Sequence, residues 1–339
     1  MTYTKKKILL VGVLLGIYTY TIVTYFTPWF VEKTYWTAFD YIHFKEASRT
    51  PINITDYIHS PLSPGLKWCS SNPFLDSYDR KTVFYMEHIW YKWSETQLQS
   101  VYDILTKVAL SRNTTDGYIT HMAYPEKTHL PCPNKYGLVR YGKSLGTGKV
   151  LCGIATIPPS AKCIIYSLGS NNNFEFEQAI IKQTSCQVHT YDCTSSPPKV
   201  PIKGLTFHNV CMGEQTNLQQ HIFPYSVRKE KLYNNETVIF KRFSQIVQEN
   251  NHDHVHVLKM DIEGAEYGVF ADIFNSSKGI NLPFQISFES HWWYHDFYHA
   301  ILHQHMFNQL WKKGYRFLYH ELNPGDPSCV EWTLMRVFC

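Results

Sequence analysis

The chain has little net charge, no closely spaced cysteine pair, no internal repeat and no low-complexity tract. Its 32 Lys+Arg against 28 Asp+Glu leave +4 over 339 residues, too small and too scattered for a nucleic-acid surface. None of the nine cysteines form a C-x-x-C pair, so nothing suggests a structural zinc site. No A-x-A pattern follows the amino-terminal apolar stretch, as a cleaved signal peptide would require. No true D-x-D occurs either, and the sequence-pattern case for a metal-dependent sugar-nucleotide transferase is correspondingly thin. A composition of 44% hydrophobic and 18% charged residues is that of a folded body with a sizeable core.

What is present begins with Lys5, Lys6 and Lys7, followed by the apolar stretch from Ile8 to Phe30. A bilayer-spanning helix needs about 20 residues, and the lysines in front of the span place the amino terminus in the cytoplasm. The expected organisation is a cytoplasmic tail over 1–7, an uncleaved signal anchor over 8–30, a lumenal stem with a small helical extension over 31–130, and a catalytic domain over 131–339. Within the extension, residues 79–93 and 94–111 read as helices, the second opened by a Ser94–Gln97 capping box. Sequons at Asn53, Asn113, Asn235 and Asn275 suit a lumenal body. So does the cysteine content, with one thiol left over from pairing. Cys132 and Cys152 bracket a glycine-rich loop and are expected to pair; the other connectivities stay open.

From Cys163 onward, short apolar strands alternate with amphipathic helices. The strands are CIIYSLG, CQVHTYD, GLTFHNVC, VHVLKMD and PFQISFES; helical stretches include FEFEQAIIKQ, FKRFSQIVQENN, YGVFADIFNSS and YHAILHQHMFNQLWKKG. YRFLYHEL and CVEWTLMRVF then follow each other without a helix between them. Alternation of this kind predicts βαβ units, a mainly parallel sheet and an antiparallel finish.

In such a sheet ligands bind beyond the carboxyl ends of the strands. The first of these strands ends in a turn at Gly169, Ser170 and Asn171, where the backbone can approach a ligand and a helix begins. The second ends at Asp192, where a nucleotide-binding fold places its acceptor for ribose hydroxyls. The fourth runs into Asp261, Glu263 and Glu266; the last reads as a first-turn acid serving the helix dipole. Lys259 is given no chemistry. Glu289 and His291 are two residues apart, so on a continuing strand they share a face. His291 is a candidate general base for a hydroxyl, with Asp261 as its rival. Trp292 and Trp293 could stack on a sugar, although core packing is the commoner use. No metal is required by the spacing of Asp261, Glu289 and His291, even though their atoms would suit one.

VLKMDIEGAEYGVF resembles the fourth-strand motif of the FkbM-type methyltransferase family. YSLGSNNNFEFEQAI, CPNKYGLVRYG and KVLCG are similar to segments of its animal methyltransferase-like branch, so that the likeness runs from Pro131 to Phe338. It implies a class I, Rossmann-like α/β fold: a mainly parallel seven-stranded sheet with an antiparallel last strand. It also implies S-adenosyl-L-methionine as cofactor, with Gly169, Ser170 and Asn171 at its methionine end, Asp192 on its ribose, and Asp261 and Glu263 facing the cofactor or acceptor. Ser167 stands where many members carry an acid, Asn173 where many have a second glycine, and Cys193 where a proline often follows.

Together these features predict a single-pass, Golgi-type membrane protein whose lumenal domain methylates a hydroxyl of a glycan or another acceptor, with no nucleic-acid partner. A glycosyltransferase and a catalytically silent lumenal binding protein are the alternatives.

Overall fold

A computed structural model describes residues 67–75, 130–133, 137–143, 148–213, 239–275, 282–291, 309–323 and 329–339, with single positions at 78, 83, 303, 306 and 307. The apolar span at 8–30, the helix expected over 94–111 and the Trp292–Trp293 pair lie outside the described residues, as does all of the helix expected over 79–93 except Val83, which is helical and buried. Among the described residues no helix is long and apolar enough to cross a membrane.

The chain enters through an antiparallel hairpin, β1 (Leu138–Tyr141) and β2 (Lys149–Cys152). The α/β succession follows: β3 (Ile164–Leu168), α1 (Glu175–Gln183), β4 (Gln187–Tyr191), β5 (Leu205–His208), β6 (Cys211–Met212), β7 (Phe240–Lys241), α2 (Phe243–Glu249), β8 (Val257–Met260), α3 (Glu266–Asn275), β9 (Gln285–His291), β10 (Tyr315–Leu322) and β11 (Cys329–Arg336). Seven strands form one sheet in the order β10-β11-β9-β8-β3-β4-β5. Strands β5, β4, β3, β8 and β9 are mutually parallel, whereas β11 runs antiparallel to both β9 and β10. This is the expected mainly parallel seven-stranded sheet with a reversed last strand.

Two readings from the sequence divide differently in space. GLTFHNVC is not one strand: after His208 the chain leaves the main sheet, and Cys211–Met212 pairs with Phe240–Lys241 in a small parallel sheet of its own. FKRFSQIVQENN likewise spends Phe240 and Lys241 on that pairing before α2 starts. Asn275 is the exposed last residue of α3.

Period-two alternation explains how the sheet is covered on both faces. Tyr166, Leu168, Leu258, Met260, Ile286 and Phe288 pack into one apolar cluster with residues of α2 and α3. Ile165, Val188 and Val257 point the other way, against Phe176 and Ile180 of α1 and Leu151 of β2. Four disulfides tie the body together: Cys69–Cys339, Cys132–Cys152, Cys163–Cys186 and Cys193–Cys211. Cys132–Cys152 is the expected pair, and the ninth cysteine, Cys329, is buried outside all four.

The face of β9 toward β2 is polar, although every residue of β9 is buried. Gln285, Ser287, Glu289 and His291 alternate along it, continued on β11 by Glu331 and Thr333. The hairpin satisfies this face. The Gln285 amide donates to the Cys152 carbonyl at 2.6 Å and accepts from the Cys152 N–H at 3.1 Å, while the Thr333 hydroxyl donates to the Val150 carbonyl.

Candidate active site at the carboxyl edge of the sheet

Registry places three glutamates in a row across three strands, Glu321 opposite Glu331 and Glu331 opposite Glu289. Like charges directly opposite are destabilising, so each needs a cation. Arg140 of β1 pairs with Glu321. Lys149 of β2, whose side chain is 0% exposed, lies 2.5 Å from Glu331 Oε1, 3.0 Å from Asp261 Oδ2 and 4.0 Å from Glu289 Oε2. Burial pulls the Lys149 pKa down, but Asp261, Glu331 and Glu289 outweigh it and hold the ammonium above the ordinary lysine range. Burial raises Glu331 to about 7 despite Lys149, with Glu289 and Asp261 pushing the same way. Nothing in the sequence pattern marked Lys149, Arg140 or Glu331 for this site.

On the other side of Asp261 stands His291, which ends β9. Its Nδ1 is 3.1 Å from Glu266 Oε1, and its Nε2 faces Glu263 Oε2 at 3.5 Å and Asp261 Oδ1 and Glu289 Oε2 at 3.9 Å. Burial would lower the His291 pKa, yet Glu266, Asp261 and Glu263 raise it to about 10. The surrounding carboxylates thus favour the charged ring, the form without a lone pair to accept a proton. Asp261 is pushed up by burial and brought below its ordinary value by Lys149, Lys259 and His291. Glu263 is raised, by burial first and then by the neighbouring carboxylates against the pull of His291.

Glu266 does more than serve a helix dipole. Buried, it accepts the Ile262 N–H and the Gly264 N–H, each at 2.9 Å, and so shapes the loop that carries Asp261 and Glu263. Within that loop Glu263 has φ 57°, a left-handed conformation that is costly for a side chain with a Cβ. Among the described residues Lys259 makes no direct salt bridge; its ammonium donates to the carbonyls of Leu168 and Gly169 and acts on Asp261 from there.

The turn after β3 packs on the end of β8. Gly169 has φ 78°, and a Cβ there would meet the Asp261 carbonyl oxygen at 1.9 Å. Its glycine is thus required by the approach of one loop to another. Asp192, 5% exposed, is fully engaged by protein donors. One oxygen accepts from the Ser170 N–H, the Ser170 hydroxyl and the Asn171 N–H at 2.7–3.1 Å. The other accepts from the Thr194 N–H and hydroxyl and the Ser195 N–H at 2.7–3.0 Å. Burial raises its pKa, but these donors win and hold it well below the usual carboxylate range. Ser167 donates to the buried Glu177 of α1, so an acid is present beside that position even though β3 does not supply it.

Asp261, Glu263, Glu289 and His291 are thus brought together, while Gly169, Ser170, Asn171 and Asp192 form an adjoining, self-bonded turn. A carboxylate edge of this kind can take a proton from an acceptor hydroxyl.

A family model described as a methyltransferase domain matches residues 91–336, beginning inside the segment assigned above to the helical extension. No curated protein matches. Among solved structures, the fibrillarin pre-rRNA processing protein of Methanococcus jannaschii is similar at 10% identity and a TM-score of 0.30, over 60% of this chain and 84% of that one.

Proposed function

Since the chain belongs to the methyltransferase-domain family, we propose that it is an S-adenosyl-L-methionine-dependent O-methyltransferase of the secretory pathway, with a hydroxyl of a glycan or glycoconjugate as acceptor. The observation that carries this reading is the carboxylate edge at the ends of β8 and β9, against which the Gly169 turn is packed. The FkbM-type motif VLKMDIEGAEYGVF supports the same chemistry. The cofactor, when bound, supplies a methyl group on a sulfonium, which passes to the acceptor oxygen while the electron pair of the broken C–S bond stays on sulfur.

The chain's own task is to orient the hydroxyl and remove its proton. Asp261 takes that proton, since the carboxylates around His291 favour its charged form, while Lys149 on the far oxygen holds the Asp261 carboxylate in place. The cofactor's methionine end is assigned to the Gly169–Asn171 turn. Asp192 acts on the ribose only through the loops it fastens, since its oxygens are already committed. Four disulfides and the sequons support a lumenal setting, and the apolar stretch at 8–30 supports a type II anchor in a Golgi or related membrane.

The glycosyltransferase alternative keeps only the anchor in its favour, because Asp261-Ile262-Glu263 lies in the loop after β8 of a methyltransferase sheet. The saturation of Asp192 favours a second reading, a methyltransferase fold without turnover. Calorimetry of the full chain in detergent with S-adenosylhomocysteine and with a sugar nucleotide, followed by transfer of labelled methyl to a glycan panel, decides among them. Binding of S-adenosylhomocysteine, and transfer lost in Asp261→Asn, are expected. A folded protein that ignores S-adenosylhomocysteine overturns the proposal.

A further inference from the structure

We propose that His291 Nε2, Asp261 Oδ1 and Glu263 Oε2 form a binding site for one divalent first-row transition-metal ion. The three residues present ligand atoms within 4.8 Å of one another, with Nε2 at 3.5 Å from Glu263 and 3.9 Å from Asp261. Ligand atoms on an ion with bonds of about 2.0–2.2 Å stand about 3.0–3.5 Å apart, so the His291–Glu263 pair is already at ligand spacing and Asp261 must draw in toward it. Only side chains need move. The imidazole comes from the rigid end of a sheet strand, and its side chain is 3% exposed.

The outer contacts are those of a ligating histidine. Such a ring donates its other N–H to a carboxylate, which fixes the tautomer and turns the free nitrogen toward the ion. Glu266 holds Nδ1 at 3.1 Å and is itself pinned by two backbone N–H groups of the same loop. A mixed set of one imidazole nitrogen and two carboxylates suits Mn²⁺ or Zn²⁺ better than the all-oxygen cages preferred by Ca²⁺.

Charge leads to the same place. Asp261, Glu263, Glu266, Glu289 and Glu331 converge on Lys149 and His291, with Lys259 also acting on Asp261. Lys149 already fills the triangle of Asp261, Glu289 and Glu331, so that group of oxygens is closed to an ion. The opposite side of Asp261 is the open one, because the Glu263 side chain is 47% exposed and provides the way in. A divalent ion that displaces the His291 proton adds positive charge where carboxylates are in excess. With the ion bound, His291 Nε2 and Asp261 Oδ1 are both ligands, and the proton passes instead to a neighbouring carboxylate such as Glu289. The function of the ion would be to acidify a hydroxyl entering its open position. That role rests on the O-methyl-transfer reading; occupation of the site does not.

The test uses Mn²⁺ alone on the full chain in detergent after chelation and dialysis. Equilibrium dialysis should give one ion per chain, and pulsed electron paramagnetic resonance should show coupling to one imidazole nitrogen. Glu263→Gln, at a half-exposed position that leaves packing alone, should weaken Mn²⁺ at least tenfold. Glu266→Gln should weaken it by about 10–100-fold, whereas Glu321→Gln, on the Arg140 side, should change nothing. Absence of stoichiometric Mn²⁺, ion bound without nitrogen coupling, or affinity indifferent to Glu263→Gln would each overturn the site. S-adenosylhomocysteine binding is measured on the same samples without metal, so failure of the ion and failure of the methyltransferase reading give different results.

Discussion

Asp192 and Asp261 occupy equivalent places, each just past the carboxyl end of a parallel strand, and they are satisfied in opposite ways. Asp192 is surrounded by neutral donors, six of them from Ser170, Asn171, Thr194 and Ser195, supplied by two neighbouring loops. Asp261 is satisfied by charge, with Lys149 on one oxygen and His291 beyond the other, among four further carboxylates. The first is a clasp that closes on itself. The second is a crowded electrostatic cluster whose excess of carboxylates is relieved chiefly by one lysine contributed by a hairpin outside the main sheet. Equivalent position in the topology therefore does not imply an equivalent role; the kind of donor around each carboxylate decides it.

The largest effect should come from Lys149→Met, which leaves Asp261, Glu289 and Glu331 together without their ammonium. Removing one partner of a buried ion pair costs about 3–5 kcal/mol, and urea denaturation should show that loss. An unchanged midpoint would mean that the cluster compensates for its own charge and that the contrast drawn here is wrong.

Asp192→Ala comes next. If Asp192 were only a ribose ligand, the fold would be indifferent to its removal; as a clasp, it should cost about 1.5–3 kcal/mol and speed amide exchange at Ser170, Asn171, Thr194 and Ser195. Loss of cofactor affinity without faster exchange would restore the ribose role. Acid titration sharpens the same point. A carboxylate whose folded pKa lies below its unfolded value stabilises fully above the ordinary range, and that stability is lost as pH falls through the depressed value. The stability difference between wild type and Asp192→Asn should therefore be constant above about pH 5 and shrink below about pH 4. A difference that stays level to lower pH would refute the clasp.

The smallest expected effect is at Glu263. Glycine tolerates φ 57°, so Glu263→Gly should stabilise the fold by about 0.5–1 kcal/mol, read as a rise in Tm of roughly 1–3 °C, while Mn²⁺ binding falls. Destabilisation instead would show that the Glu263 side chain packs for the fold rather than for a ligand.

Much of the sheet was legible because its signals are local. The runs at Ile164–Leu168, Gln187–Tyr191, Val257–Met260 and Tyr315–Leu322 lie within the stretches read as strands, since an apolar run of strand length bounded by turn residues needs no distant partner to be recognised. Period two also placed Glu289 and His291 on one face. The split of GLTFHNVC was not legible, because β6 exists only through its pairing with Phe240–Lys241 far along the chain. Glu266 is a first-turn acid of α3 as its sequence position implies, but its second role was not legible for a related reason: only folding buries it against His291.

The sequence by itself determined the alternation of strands and helices, the antiparallel finish and the acids that follow β8. Those are properties of neighbouring residues, set by side-chain period and turn chemistry. Tertiary structure alone decided what the acids do. Lys149 is 112 residues from Asp261 and 182 from Glu331, and no local pattern records that the hairpin β1–β2 will lie over the polar face of β9 and β11. Electrostatic interaction depends on distance in space and on burial rather than on sequence separation. The division between a self-satisfied Asp192 and a charge-bound Asp261 therefore arises only once the sheet has closed beneath the hairpin.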